Sequence, residues 1–184
     1  ATLAPVAGSR VRSSVAMVVD WDTIWALRPD ASLPAEISWH AEAYQQHAAL
    51  HQLGLAVDSV ALPGSDLSRY SVVVAPTLYV TSDAQAEALE AFVRAGGTLV
   101  VGPFSGVVNE CEQVHAGGPP GPLRDLLGVE VDEQWPLLGT DEQIVEFDSG
   151  ARTVGRFWAE WIEPSDDVEV VAHYGGRPLH DLPA

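Results

Sequence analysis

The chain has 184 residues, of which 47% are hydrophobic, so it is long and apolar enough to bury a full core as one domain or one and a half. Nine arginines and no lysine stand against 26 acidic residues, giving a formal net charge of −17. Such a surface repels phosphate backbones and anionic headgroups, which excludes nucleic-acid and membrane-surface partners. No stretch approaches the roughly 20 apolar residues of a membrane span. Cys111 is the only cysteine, which predicts a reducing, cytoplasmic location without disulfides.

The first predicted element is a buried strand over residues 15–20, where a short valine-rich run ends at two carboxylates. Such a run is typical of a central strand in a parallel sheet, covered on both faces. Asp20, Trp21, Asp22 and Trp25 stand where a loop is expected, and open α/β sheets usually bind ligands at that loop. The aromatic rings favour packing and recognition over catalysis. The preferred interpretation of the two carboxylates is that they cap the following segment.

The next part of the chain alternates between helix and strand patterns. Two helices are predicted, one over 35–53 that ends at Gly54 and one over 83–95 that begins with a capping box of Ser82 and Gln85. Strands are predicted at 56–61, 71–76 and 98–101. This alternation predicts right-handed βαβ units and a doubly wound parallel sheet with helices on both faces.

The last part of the chain is less regular. Residues 102–122 form a predicted long loop rich in glycine and proline, and loops of this length are usually functional or interfacial. One or two helical turns over 122–127 follow. Three short strands are then predicted at 143–147, 155–162 and 168–174.

Active sites that often occur on this fold lack their residues here. A phosphoacceptor domain needs an aspartate after the third strand and a lysine, but that strand ends in Ala75 and Pro76. A flavin site needs a phosphate-binding loop after the first strand, where this chain is acidic. An amidotransferase-like hydrolase needs a cysteine on a sharp strand-to-helix turn. Cys111 lies in the long loop instead, and a hydrolase that uses it remains the alternative function.

No cofactor or metal site is predicted. His47 and His51 are spaced i, i+4 on the first predicted helix and could hold a metal, but no carboxylate that completes the site is identifiable. They are interpreted as surface residues of the helix.

Six segments follow one another in a fixed order: VVDWDTIW at 18–25, YSVVVAPTLY at 70–79, FVRAGGT at 92–98, FSG at 104–106, PGPLRDLLG at 120–128 and WAEW at 158–161. Together they closely resemble the trimerisation domain of glycoside hydrolase family 42 β-galactosidases, over residues 9–174. One departure is Asn109, where an aspartate is more typical, and it leaves the polar contacts of that loop open.

The resemblance implies an α/β fold, flavodoxin-like or class I glutamine-amidotransferase-like, with a doubly wound parallel sheet. It also implies that this domain follows a (β/α)8 barrel, which carries the two glutamates of a retaining β-galactosidase. Residues 1–14 would be a linker from that barrel, 15–174 the trimerisation domain and 175–184 a truncated C-terminal segment. The chain itself is expected to hold no catalytic residue. The implied partners are the barrel and identical subunits of a homotrimer.

The candidate subunit interface is a set of aromatic residues with charged neighbours: Trp21, Asp22, Trp25, Trp39, Phe104 and Arg124. Tryptophan is highly buried on average, so these rings could belong to the core. Several of them near one edge of a sheet would also form an anchor set for a subunit contact, and the resemblance favours that interpretation. Arg124 pairs either with a carboxylate of its own domain or with another subunit, and the sequence leaves both open.

Overall fold

The computed structural model describes residues 4–28, 37–137 and 141–176. Its centre is a four-stranded parallel sheet with the order β2-β1-β3-β4, formed by β1 (Val15–Val18), β2 (Val57–Val60), β3 (Val72–Ala75) and β4 (Thr98–Val101). In the central strand, Val15 stands opposite Val57 on one side and Val72 on the other. All four residues of β1 are buried, because both faces of the sheet are covered. The four strands predicted in this part of the sequence are confirmed.

Helices cover the two faces of this sheet: α1 (Trp21–Ala26), α2 (Trp39–Gln52), α3 (Asp83–Arg94) and the short α4 (Arg124–Leu127). On one face, Leu89 of α3 belongs to a core cluster with Ala16. On the other, Trp39 of α2 belongs to a second cluster with Met17. Neighbouring residues of β1 point to opposite faces, so the two clusters are separate cores and the prediction of helices on both faces is confirmed.

The ends of α2 and α3 follow their local sequence. Ser82 and Gln85 form the predicted capping box, in which the Gln85 side chain accepts from the Ser82 amide at 2.8 Å. Gly54 follows α2 with φ +76°, a conformation that glycine adopts without strain. The predicted helix over 35–53 begins at Trp39, and its positions 35 and 36 lie outside the described residues.

Residues 21–26 form α1, although the sequence predicted a loop there. Asp20 is the N-cap of this helix, and its Oδ1 accepts a hydrogen bond from the Thr23 amide at 2.6 Å. The predicted capping role of Asp20 is therefore confirmed. The same prediction for Asp22 is wrong, because Asp22 lies inside the helix, in its first turn, and is exposed.

Two antiparallel sheets follow the parallel one. β5 (Val129–Pro136) pairs with β8 (Trp158–Pro164), while β6 (Gln143–Phe147), β7 (Arg152–Gly155) and β9 (Ala172–Gly175) form a sheet in the order β7-β6-β9. The strand predicted at 143–147 is confirmed as β6. The strand predicted at 168–174 is shorter and later, since only β9 is extended there.

The prediction of one strand over 155–162 is wrong. The strand is interrupted at Arg156 and Phe157, which separate β7 from β8. Phe157 has φ 71°, a conformation that cannot continue a strand. β5 was not predicted at all, although Val129 and Val131 alternate with charged residues as strand residues do.

The loop after β4 packs closely against the chain. Residues 104–108 are all buried, and Val108 bridges to both Val80 and Val114. A Cβ atom on Gly102 would lie 1.7 Å from the carbonyl oxygen of Pro76, so only glycine fits at this approach. Within the described ranges, no helix combines the length and apolar character that crossing a bilayer requires.

Candidate functional site

Two tryptophans on α1 are exposed to solvent. Trp21 is 61% and Trp25 57% exposed, and their ring centroids lie 6.5 Å apart at an interplanar angle of 44°. The opposite side of the helix is anchored, because Thr23 is fully buried and its hydroxyl accepts from the Val80 amide at 3.0 Å. The helix therefore holds the two rings in fixed positions on the surface. We call Trp21 and Trp25 the tryptophan patch.

A buried hydrogen-bond network fixes the start of α1. Asp20 is 8% exposed, and its Oδ2 accepts from Gln85 Nε2 at 2.7 Å. Since Gln85 also belongs to the capping box with Ser82, the N-terminal ends of α1 and α3 are joined at the carboxyl edge of the parallel sheet. Open α/β sheets often bind ligands at this edge. Here the side chains of Asp20 and Gln85 are hydrogen-bonded to each other and to the two helix ends.

Replacing Asp20 with alanine should lower the free energy of unfolding by about 2–3 kcal/mol, because α1 loses its N-cap and Gln85 loses a buried acceptor. Asp22→Ala is the matched control. It removes an exposed carboxylate from the first turn of the same helix and should cost only about 0.3–1 kcal/mol. Urea denaturation of both variants measures the difference, and equal losses would contradict the network.

Trp39 and Phe104 lie inside the chain. Trp39 is 9% exposed and belongs to the core cluster that α2 forms with Met17 of β1. Phe104 is 3% exposed, with its ring centroid 5.0 Å from that of Tyr79 and 4.5 Å from that of Trp158. A partner reaches little of either ring, since packing within the domain already covers them. The surface available for the predicted interface is therefore concentrated on α1.

Arg124 contacts its own domain. Its Nη1 lies 3.1 Å from Glu130 Oε1, and its Nη2 donates to the carbonyl oxygens of Gly117 and Gly118. The side chain thus ties the glycine-rich part of the long loop to β5. Of the two pairings that the sequence left open, the structure shows the one within the domain.

Glu160 is a buried residue that the sequence analysis did not single out. Its Oε1 accepts from the Phe104 amide at 2.9 Å and from the Trp158 indole at 3.3 Å, and its own amide donates to the Tyr174 hydroxyl at 3.2 Å. Burial raises the pKa of Glu160 despite these bonds. The backbone of Phe104 is left-handed, with φ 60°, and its amide donates to Glu160 in that conformation. The only hint of this role in the sequence is that Glu160 lies between Trp158 and Trp161.

Cys111 lies in a tight surface turn. The Asn109 side-chain oxygen accepts from the Cys111 amide at 2.9 Å and from the Gln113 amide at 3.0 Å, which closes the turn. Asn109 therefore supplies the polar contacts of this loop itself. Cys111 is exposed and is not on a strand-to-helix turn. His115 uses Nε2 to contact the Thr81 carbonyl oxygen at 3.0 Å. This geometry gives no support to the cysteine hydrolase.

The described residues form an α/β domain with an exposed tryptophan pair on α1. A family model described as the β-galactosidase trimerisation domain matches residues 13–184, and the chain belongs to this family. The β-galactosidase BgaB of Geobacillus sp. (strain Y412MC61) is 37% identical over 179 residues, which cover 96% of this chain and 26% of BgaB. The family resemblance drawn from the sequence is confirmed.

Solved structures agree with this assignment. The cold-adapted β-galactosidase from Rahnella sp. R3 superposes with a TM-score of 0.91 at 33% identity, over 99% of this chain and 28% of that one. The β-galactosidase from Bacillus circulans sp. alkalophilus gives 0.90 at 30% identity, over 97% of this chain and 27% of that one. The chain thus spans about a quarter of the length of these relatives.

Proposed function

We propose that this chain is the noncatalytic oligomerisation domain of a retaining β-galactosidase that hydrolyses terminal β-D-galactosides. The family match over residues 13–184 carries the proposal. The strand order β2-β1-β3-β4 also supports a flavodoxin-like, doubly wound fold, whose sheet order begins in the same way.

The domain limits and partners belong to the same proposal. Residues 1–14 link the domain to a preceding (β/α)8 barrel, 15–174 form the trimerisation domain, and 175–184 are a C-terminal segment outside it. The parent enzyme is a cytoplasmic homotrimer. In a cyclic trimer each contact is heterologous, so a patch on one subunit faces a different surface on the next.

The tryptophan patch, with Asp22 between its rings, is the proposed contact surface. Tryptophan side chains bury about 150–250 Å² each and are enriched among the residues that dominate binding energy. Both rings are more than half exposed, on a helix whose buried residue Thr23 is hydrogen-bonded to the Val80 amide. Because a chain with a net charge of −17 repels another acidic surface, we propose arginines on the facing surface.

The positions of Asp20, Asp22 and Glu160 support a noncatalytic role. A retaining glycosidase needs two carboxyl groups about 5–5.5 Å apart that flank the scissile bond. Asp20 is buried as a helix cap and Glu160 is buried as an acceptor for two donors, while Asp22 is exposed on the surface. These side chains serve the fold or the surface, and none of them pairs with another across a cleft.

The pure chain should therefore release no nitrophenol from p-nitrophenyl β-D-galactoside. The full-length enzyme, assayed at equal molarity, is the positive control. A variant of the full-length enzyme that lacks either catalytic glutamate of the barrel sets the background. Turnover by the 184-residue chain above that background would refute the noncatalytic assignment.

A further inference from the structure

A cavity of about 700 Å³ separates α2 from the connection between β7 and β8. Its lining includes Phe157 and Trp158, which we call the aromatic wall, together with the largely buried Phe104 and the carboxylate of Glu42 on α2. Because Phe104 follows β4, the cavity opens near the carboxyl edge of the parallel sheet, where such sheets bind ligands. We call this cavity the Glu42 pocket.

The carboxylate of Glu42 lines this pocket and has no ion-pair partner among the described residues. The side chain is half-buried, and burial raises the pKa of Glu42. It forms no ion pair with any residue that the structure describes. Arg156 also lines the pocket, but Glu142 already binds it, with Arg156 Nη2 2.6 Å and Nε 2.8 Å from the same carboxylate oxygen. The guanidinium of Arg156 is therefore paired with Glu142 and not with Glu42.

The aromatic wall suits a cation as well. The faces of aromatic rings attract cations, and rings beside a carboxylate form a common recognition site for them. Phe157 is 41% exposed and left-handed, with its carbonyl oxygen held by the Leu137 amide at 3.0 Å. Strained conformations of this kind persist where the surrounding structure enforces them, often at binding sites.

We propose that the Glu42 pocket binds a guanidinium group on an apolar stem, and that its occupant is an arginine side chain from polypeptide outside these 184 residues. A planar guanidinium both stacks on aromatic rings and pairs with a carboxylate through two hydrogen bonds, whereas an ammonium does not combine these contacts. All nine basic residues of this chain are arginines, so arginine is the cation that such a protein supplies. The choice of occupant rests on the proposed function, in which this chain is one domain of a longer enzyme.

The first test is a titration of the 184-residue chain with n-butylguanidinium, measured by isothermal titration calorimetry. The uncharged isostere n-butylurea is expected not to bind detectably. Glu42→Gln should weaken n-butylguanidinium binding about fivefold, because it removes the ion pair. Glu87→Gln, the same change on an exposed position of α3, should leave binding unchanged. Equal binding of the two ligands, or of the two variants, overturns the proposal.

A second variant separates the aromatic wall from the fold. Phe157→Gly removes the ring and suits the left-handed backbone, so it should weaken binding without lowering the melting temperature. Binding should also strengthen as the pH rises and Glu42 ionises, because the cation favours the charged form. Unchanged affinity in Phe157→Gly contradicts the aromatic contact.

The full-length enzyme then identifies the source of the guanidinium. If an arginine of the same protein fills the pocket, n-butylguanidinium binds the 184-residue chain but shows no Glu42-dependent binding to the intact enzyme. Glu42-dependent binding to the intact enzyme would overturn the arginine occupant and assign the pocket to a free guanidinium ligand. Galactosidase assays and oligomeric state are measured separately, so failure of the proposed function is distinguishable from failure of this site.

Discussion

Replacing Trp21 and Trp25 together with alanine in the full-length enzyme should dissociate the trimer at micromolar concentration. Each ring is more than half exposed on α1. Truncating a tryptophan that is an anchor of an interface commonly costs about 2 kcal/mol or more of binding free energy. Two such losses at one contact weaken association by roughly a thousandfold, since about 1.4 kcal/mol corresponds to a factor of ten. Sedimentation velocity over a concentration series measures the change.

Trp135→Ala provides the control for this experiment. Trp135 is also a partly exposed tryptophan, at 40%, but it lies on β5 in an antiparallel sheet. Its variant should remain a trimer. Circular dichroism should show that the domain stays folded without Trp21 and Trp25, because neither ring belongs to a core cluster. A persistent trimer, or unfolding of the domain, would show that the patch is not an interface.

Sequence patterns predicted the parallel half of the fold well, because its signals are local and strong. The strand predicted at 98–101 coincides with β4, and the pairing of Ser82 with Gln85 marked the start of α3. Here apolar runs, caps and glycine stops agree with one another. Agreement between such independent signals is what makes a sequence specify one structure.

The errors have identifiable physical causes. Six residues are too few to show a helical period, so the sequence predicts a loop where α1 lies, although Asp20 three residues before Thr23 is a usable capping signal. The alternation around Val129 and Val131 was diluted by four charged or amide residues, and β5 was missed. The break at Phe157 depends on tertiary contacts such as the bond from the Leu137 amide, which no local pattern reveals.

Exposure of the site was the least predictable property. Trp21, Trp25, Trp39 and Phe104 are all large apolar residues that border predicted elements, and sequence gives no means to separate them. Their burial is decided by which side of a helix faces the sheet and by which rings stack on Tyr79 and Trp158. Glu160 was missed for a related reason, since its role exists only because the chain brings Phe104 beside it.

Replacing Glu160 with alanine should produce the largest loss of domain stability, about 3–5 kcal/mol. The change leaves the buried Phe104 amide and the partly buried Trp158 indole without their acceptor, and a fully buried donor left unpaired costs about 1–3 kcal/mol. It also leaves a cavity where the buried Glu160 side chain was. Glu163→Ala on the same strand is the control, because that side chain is exposed. Chemical denaturation of the two variants gives the comparison. A loss no greater than that of the control would contradict the role of Glu160.

Glu160→Gln isolates the charge, since the amide oxygen still accepts from both donors. Burial raises the pKa of Glu160, so at intermediate pH the folded chain holds a proton that the unfolded chain has already released. Wild-type stability therefore falls as the pH rises from the ordinary glutamate pKa through the raised one. The glutamine variant lacks this titration. Its stability relative to wild type should rise over that interval by about 1.4 kcal/mol for each unit by which the pKa is raised.

Burial also raises the pKa of Tyr174, the other titratable group at this site, so its hydroxyl stays protonated throughout this interval. Denaturation curves for both chains from about pH 4 to 8 measure the trend, and parallel profiles would show that Glu160 is ionised in the fold without cost.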